Sequence, residues 1–306
     1  MTPRDATPPP PDPRPRALLR RRLAGPGALM VPGVADALNA RIVARHGFEA
    51  IYMTGAGTSA VRLGMPDVGL LTMSEMVDNA ARIADASGLA VISDADTGYG
   101  GVHNVRRAVQ SFERAGVAAV HIEDQALPKR CGHLAGKELI DADEMVAKIK
   151  AACDARIDPD FTVIARTDAI AVEGFEAAID RAGRYAEAGA DVIFVESPSA
   201  EQLPRIAPLI DRPLLYNMAA SGKTPFLDKT EIERLGFRLI IYPNWLLLAG
   251  IRASERMLDL MMRTGSIADA LPDVATFREF FDLVGMQEVR ERDAKYAVNP
   301  DRLINY

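Results

Sequence analysis

The sequence predicts an α/β chain folded as a closed (β/α)8, or TIM, barrel. Three features point there. Short apolar runs alternate strictly with longer amphipathic ones, which implies a parallel sheet with right-handed crossovers. The alternation repeats eight times over about 230 residues, which suits a closed barrel better than an open doubly wound sheet. Gly47, Gly88, Gly116, Gly189 and Gly236 each end an amphipathic run just before the next apolar one, as helix C-caps do.

In chain order, residues 1–16 are crowded with Pro, carry Arg and Asp, and show no apolar periodicity, so they predict a disordered or polyproline-like tail. The tail lacks the apolar core of a signal peptide, and Asp5, Asp12 and the absence of Ser argue against a transit peptide. Arg16–Leu23 predicts a short basic helix stopped by Gly25-Pro26-Gly27. Strands follow at 28–31, 50–54, 90–93, 119–123, 162–166, 192–196, 214–217 and 238–242. Runs rich in Ala, Arg, Glu and Leu predict helices at 36–46, 75–86, 104–115, 143–155, 174–188, 200–209, 230–235 and 245–263. Residues 17–306 then form one barrel domain whose C-terminal extension, 264–306, adds helices at 275–284 and 286–296 with Phe277, Phe280 and Phe281. An apolar helix pair added to a finished barrel is expected to pack on something, which suggests a subunit interface.

The chain has 306 residues, 48% of them apolar, enough for a full core. Its formal charge of −6, with Lys and Arg scattered rather than banded, argues against a nucleic-acid partner. The longest apolar run, 239–250, is interrupted by Pro243 and Asn244 and is too short to cross a membrane. Only Cys131 and Cys153 are present, a count that fits a cytoplasmic enzyme better than a secreted, disulfide-stapled one.

In a (β/α)8 barrel the reacting groups lie at the carboxyl ends of the strands. Here those ends read Thr54, Asp94 with Asp96, Glu123, Arg166, Glu196 and Asn217. Parallel strands are normally apolar throughout, so polar groups recurring at one end mark a shared site. Asp94, Asp96 and Glu123 offer only oxygen ligands, which suits Mg2+, or Mn2+, holding waters and a bidentate substrate. The four His are dispersed, which disfavours zinc. The competing reading of the two aspartates is helix capping. Arg166 suits a substrate carboxylate gripped by two parallel hydrogen bonds, and the competing reading is a salt bridge to a barrel carboxylate.

Two loops complete the set. After Glu123, the run from Pro128 to His133 places the Cys131 thiol beside Lys129, Arg130 and His133, a positive field that attracts carboxylates and favours thiolate. A basic surface turn with an incidental Cys is the alternative. Earlier, Thr54-Gly55-Ala56-Gly57-Thr58-Ser59-Ala60 fits a dinucleotide-binding pattern, which would make the chain a nicotinamide-dependent dehydrogenase. A helix should open on that loop, but Gly64, Pro66 and Gly69 break the run 61–71, and Thr72 and Glu75 form a capping box for the helix after it. The glycines are better read as letting backbone N–H groups approach a substrate carboxylate.

Assembled in this way, the chain resembles the phosphoenolpyruvate mutase/isocitrate lyase superfamily. The resemblance rests on Tyr52-Met53-Thr54-Gly55-Ala56-Gly57, Met65-Pro66-Asp67, the run from Ser93 to Gly101, Ile122-Glu123-Asp124-Gln125, the run from Pro128 to His133, Ala165-Arg166-Thr167-Asp168-Ala169 and Asn217-Met218. It covers about residues 28–296 and leaves the Pro-rich tail outside. It implies a Mg2+-dependent barrel whose last helix is exchanged between subunits, commonly as a dimer of dimers. It also implies that Asp94, Asp96 and Glu123 hold or support the metal, with Asp67 close by. Tyr52, Thr54, Gly55, Ala56, Arg166, Glu196 and Asn217 would contact substrate or shape its pocket, and Lys129 to His133 would form a gate.

The Cys-Gly-His gate resembles that of the lyase branch, whereas mutases of the family usually carry an Asn-containing loop. Cleaving the C2–C3 bond of a 2-hydroxy dicarboxylate yields a 2-keto acid and a carboxylate enolate that needs an acid, a role suited to Cys131. The stretch from Asn217 to Pro225 looks more like the 2,3-dimethylmalate lyase, oxaloacetate hydrolase and petal death protein group than the methylisocitrate lyases. A two-carboxylate substrate of malate type is therefore expected. A carboxyphosphonoenolpyruvate-type mutase remains the alternative within the family.

Overall fold

The computed structural model describes residues 14–132 and 136–296. The predicted tail lies almost wholly outside them, and so does His133. Two compact units divide at residue 247, Met1–Leu247 and Leu248–Tyr306.

In the first unit eight parallel strands pair in chain order and close, β8 against β1. They are β1 (Leu29–Val34), β2 (Ala50–Met53), β3 (Ala90–Asp94), β4 (Ala119–Glu123), β5 (Thr162–Thr167), β6 (Val192–Val195), β7 (Leu214–Asn217) and β8 (Phe237–Tyr242). Each predicted strand is present, with ends shifted by at most three residues. The surrounding helices are α2 (Ala37–Arg45), α3 (Gly55–Leu63), α4 (Met73–Ser87), α5 (Val102–Arg114), α6 (Ala142–Ala155), α7 (Phe175–Glu187), α8 (Leu203–Ile206) and α9 (Lys229–Arg234). The five predicted C-cap glycines all adopt positive φ, where a Cβ would be strained.

Two expectations need correction. A helix does open on the glycine loop: α3 begins at Gly55, capped by Thr54, and ends at Gly64. The breakers Gly64 and Pro66 fall beyond it, so they stop the helix rather than prevent it. The predicted helix at 200–209 is only a turn of α8 followed by a 3-10 turn, because Pro204 and Pro208 each remove a backbone donor.

Side chains alternate across each strand, giving two apolar layers. Val91, Val120, Val163 and Ile193 face the helices and pack with Met76, Ile83, Phe112, Ile149 and Tyr185. Leu29, Val31, Ala50, Ile92, Ile164, Phe194, Leu215 and Ile241 fill the interior of the barrel. Before β1, α1 (Pro15–Ala24) adds Leu19 and Leu23 to that interior and so plugs its amino end.

The second unit holds most of α10 (Trp245–Thr264), then α11 (Phe277–Leu283), opened by a Thr276/Glu279 capping box, and α12 (Met286–Tyr296). Phe281 packs edge-on against Phe277 and Phe280. Ile251, Leu258, Met262, Leu271 and Phe277 are exposed, Met262 to 88%.

Candidate active site

The inward alternation that places Ile92, Ile164 and Phe194 inside the barrel carries on, two residues later, to Asp94, Arg166 and Glu196. Tyr52, His121, Glu123 and Asn217 lie on the same inner face, all buried. In register, Glu123 stands beside Arg166 on the neighbouring strand. Six strands thus deliver polar groups to one end of the barrel.

The acidic side of the cluster centres on Asp94 and Asp96. Asp94 Oδ2 accepts from Gly55 N (3.2 Å) and Oδ1 from Asp96 N (2.9 Å). Gly55 is required there, since a Cβ would lie 2.4 Å from Asp94 Oδ2. Burial would raise the Asp94 carboxyl, but His121, Lys129 and Arg166 outweigh it and hold it low. At Asp96 the balance reverses: burial, helped by Asp94 and Asp67, pushes the carboxyl up to about 6 against the pull of Lys129. Burial also drives Glu123 well above the carboxylate range. Its Oε1 is buried with no hydrogen-bond partner among the described residues.

On the thiol loop, Lys129 is buried and its Nζ lies 2.6 Å from both Asp67 Oδ1 and Asp96 Oδ1. Gln125 clasps the loop backbone from both sides, donating to Arg130 O and accepting from Arg130 N, each at 2.9 Å. Cys131 N donates to Asp67 O (3.2 Å). Arg130 is exposed, and Cys131 is half-buried and in no disulfide.

Arg166 is held on every side. Its Nε and Nη2 donate to Asp168 (2.8 and 3.0 Å), Nη1 lies 3.2 Å from Glu123 and Nη2 3.4 Å from Glu196. The guanidinium also covers the Phe194 ring. The fork predicted to grip a substrate carboxylate is therefore taken by Asp168. Burial would raise the Asp168 carboxyl, but Arg166 and Lys137 hold it at about 2. Glu196 accepts from Ser197 (2.8 Å) and from Asn217 Nδ2 (3.1 Å), which leaves the buried Asn217 Oδ1 without a partner among the described residues.

Tyr52 Oη lies 2.7 Å from His121 Nε2 and 3.5 Å from Asp94 Oδ2. Burial, then Asp94, pushes the phenol well above its ordinary value, so Tyr52 keeps its proton. Thr54 does not point a free hydroxyl at the site: Oγ1 donates to Asn244 (3.0 Å) and accepts from Gly57 N (3.2 Å). Between the committed N–H groups of Gly55 and Gly57, Ala56 N–H at the first turn of α3 has no partner among the described residues.

The site thus gathers Tyr52, Gly55, Asp67, Asp94, Asp96, Glu123, Lys129, Arg166, Glu196 and Asn217. Three residues that contact this cluster or its supports, His121, Lys137 and Asn244, were not singled out from the sequence. His121 sits inside the apolar run Val120-His121-Ile122, where a single His carries no signal. Lys137 and Asn244 meet their partners 31 and 190 residues away, a pairing that only barrel closure reveals.

Comparison with known proteins decides the family. The phosphoenolpyruvate phosphomutase profile matches residues 19–262. The chain belongs to the phosphoenolpyruvate mutase/isocitrate lyase superfamily. Within it, the chain is 45% identical to the 2,3-dimethylmalate lyase of Eubacterium barkeri over 92% of this chain and 98% of that one. It is 42% identical to the 2-methylisocitrate lyase of Aeropyrum pernix over 95% and 94% of the two chains. Among solved structures, an oxaloacetate acetylhydrolase bound to the inhibitor 3,3-difluorooxalacetate superposes with a TM-score of 0.90 at 36% identity, covering 95% of this chain and all of that one. A phosphonopyruvate hydrolase solved with oxalate and Mg2+ superposes with a TM-score of 0.84 at 30% identity, over 92% and 98% of the two chains.

The donor set fits a hard divalent cation. It consists of oxygens only, Glu123 Oε1 lacks a partner among the described residues, and burial raises Glu123 and Asp96 more than the nearby Lys129 and, at Glu123, Arg166 can lower them. Among the described residues no group of three or more His, Cys, Asp or Glu is arranged to hold a metal ion by itself, so the fit rests on the oxygen donors of Asp94, Asp96 and Glu123 and not on a preformed cage.

Proposed function

We propose that this chain is a Mg2+-dependent carbon–carbon lyase that cleaves the C2–C3 bond of a malate-type 2-hydroxy or 2-keto dicarboxylate. The names of its relatives support the reaction class. The observation that carries the proposal is the seat of the thiol loop. A Cβ on Gly132 would lie 2.0 Å from Arg166 Nη2 and 3.2 Å from Glu196 Cγ, so the residue after Cys131 rests directly on the strand-end cluster.

Asp94, Asp96 and Glu123 would hold the metal, directly or through water, with Mn2+ as a substitute. When bound, the metal supplies a Lewis acid that polarises the 2-oxygen of the substrate and balances its charge. A carboxylate of the substrate docks beside Arg166, whose charge draws it although Asp168 holds the fork, and Asn217 shapes the pocket on that side. The free Ala56 N–H at the N-terminus of α3 receives the other carboxylate. Because Tyr52 keeps its proton, it acts as a donor beside Asp94, and the 2-hydroxyl proton passes to Glu196. A 2-keto substrate first adds water at C2 to supply that hydroxyl; the C2–C3 electrons then leave on the carboxylate enolate as C2 becomes a carbonyl, or a carboxyl group in the 2-keto case, and the Cys131 thiol gives its proton to carbon. Lys129 keeps the loop seated through Asp67 and Asp96, and Lys129 and Arg130 steer the anion, a role also assigned to His133, which lies outside the described residues.

A nicotinamide-dependent reading loses its footing, because Gly55 and Gly57 N–H already serve Asp94 and Thr54. A phosphonomutase reading is favoured by the family profile and by phosphonate-acting proteins among the similar solved structures, but not by the thiol loop. The exposed Ile251, Leu258, Met262 and Phe277 support a homo-oligomer, a dimer of dimers with exchanged C-terminal helices, in which residues 264–306 extend the barrel domain. No described helix is long and apolar enough to cross a membrane, and neither cysteine is in a disulfide, which supports a cytoplasmic location.

A coupled keto-acid assay on 2,3-dimethylmalate, 2-methylisocitrate and oxaloacetate tests the proposal. Turnover of one of them, abolished by EDTA, is expected. Silence on all three from folded, Mg2+-loaded protein would overturn the malate-type reading, and rearrangement of a phosphonate would replace it with the mutase.

A further inference from the structure

We propose that Lys137 is a positioning residue that fastens the thiol loop to Arg166. Its side chain is buried, and Nζ donates to two acceptors at once, Gly132 O at 2.7 Å and Asp168 Oδ1 at 2.6 Å. Asp168 in turn receives Arg166 through Nε and Nη2. Gly132 closes the ring by resting against the same guanidinium. A compact ammonium on a flexible stem can bridge a carbonyl and a carboxylate at one point, a geometry the planar guanidinium fork of Arg does not reproduce.

The other fastenings of the loop act elsewhere. Gln125 holds the backbone of Arg130, and Lys129 reaches Asp67 and Asp96, the acidic side of the site. Lys137 holds the carbonyl that follows Cys131 and ties it to the Arg166 side, away from the carboxylates assigned to the metal. It therefore sets where the thiol stands relative to the group that positions the substrate. Without Lys137, Gly132 O loses its donor and Asp168 keeps one cation instead of two. The loop then loses its hold on the Arg166 side, while Arg166 itself stays paired. The consequence for turnover rests on the lyase reading above: kcat falls more than KM rises, because diacid binding persists while delivery of the proton is impaired.

The test uses the full chain with Lys137→Met, which removes the ammonium, and Lys137→Arg, which keeps the charge but not the single-point bridge. Alkylation of Cys131 by iodoacetamide is followed by peptide mass spectrometry without substrate, with Cys153 read in the same samples. Rates are compared at the high-pH plateau for Cys131, where loss of the Lys137 charge no longer alters the thiolate fraction. Lys137→Met should accelerate Cys131 roughly tenfold or more, the weight of a charge-assisted hydrogen bond, with Cys153 unchanged and Lys137→Arg in between. Parent-level reactivity of Cys131 in both variants would overturn the proposal. So would Cys131 and Cys153 accelerating in step, because that is general loosening. If Lys137→Met does not fold, Lys137→Arg decides by the same criteria. Since alkylation needs no substrate, a failed lyase assay leaves this result intact, and a negative result here leaves the lyase reading intact.

Discussion

At the amino end of the barrel, Arg16 and Arg20 of α1 and Arg156 after α6 meet Asp158 and Asp191. Their remaining donors reach backbone carbonyls of Val117, Glu113, Phe161 and Pro159, and the Glu113 carboxylate accepts from Ile157 and Asp158 N–H. At the carboxyl end, Asp67, Asp94, Asp96, Glu123, Asp168 and Glu196 face Lys129, Lys137 and Arg166. Carboxylates there outnumber cations, and Glu123 Oε1 and Asn217 Oδ1 have no described partner. The residue types are the same. Balance and completed hydrogen bonds make one end a structural plug, whereas the excess of carboxylates at the other end is what the cation proposed above would offset.

The comparison would break most visibly through activity. Cys131→Ser should lower turnover by roughly two to four orders of magnitude while the melting temperature stays put, as expected when a positioned acid is lost. Unchanged turnover would remove the proton-donor role. Next in size, Arg166→Met should destabilise by about 3–5 kcal/mol, since it leaves Asp168, Glu123 and Glu196 short of their shared cation. Chemical denaturation measures it.

The sharpest contrast is one of sign. Asp191→Asn at the plug should cost about 1–3 kcal/mol, because Asp191 accepts from Arg20, Arg156 and Val163 N. Glu123→Gln at the site should instead stabilise the metal-free protein by about 0.5–2 kcal/mol while abolishing activity. Loss of stability in both would erase the distinction drawn here.

Acid titration separates the site internally. Asp168 is held at about 2, below its ordinary 3.8. Its pairing therefore contributes stability that is complete above about pH 4 and is lost as pH falls towards 2, about 2 kcal/mol in all. Asp168→Asn should flatten the stability curve within that window, as read by urea denaturation at each pH.

Most of the barrel is legible in the sequence because apolar runs and glycine caps are local signals. The strand-end residues are legible because a charge ending an apolar run is conspicuous. Where reading fails, the cause is specific. Whether Gly55 and Gly57 begin a helix depends on Thr54 capping it and Asp94 receiving Gly55 N–H, and Asp94 is a partner 39 residues away. The grip of Asp168 on Arg166 is written two residues along the chain, but its sharing with Lys137 exists only once the loop folds back. His121 became informative only when closure put Tyr52 against it.

The most direct test of the charge-imbalance account is thermal unfolding with and without Mg2+, on the parent, Asp94→Asn and Asp191→Asn. The account predicts that saturating Mg2+ raises the parent and Asp191→Asn melting temperatures alike, by about 2–3 kcal/mol of linkage at a hundredfold excess over Kd, and leaves Asp94→Asn unmoved. An equal rise in Asp94→Asn, or none in the parent, would contradict it.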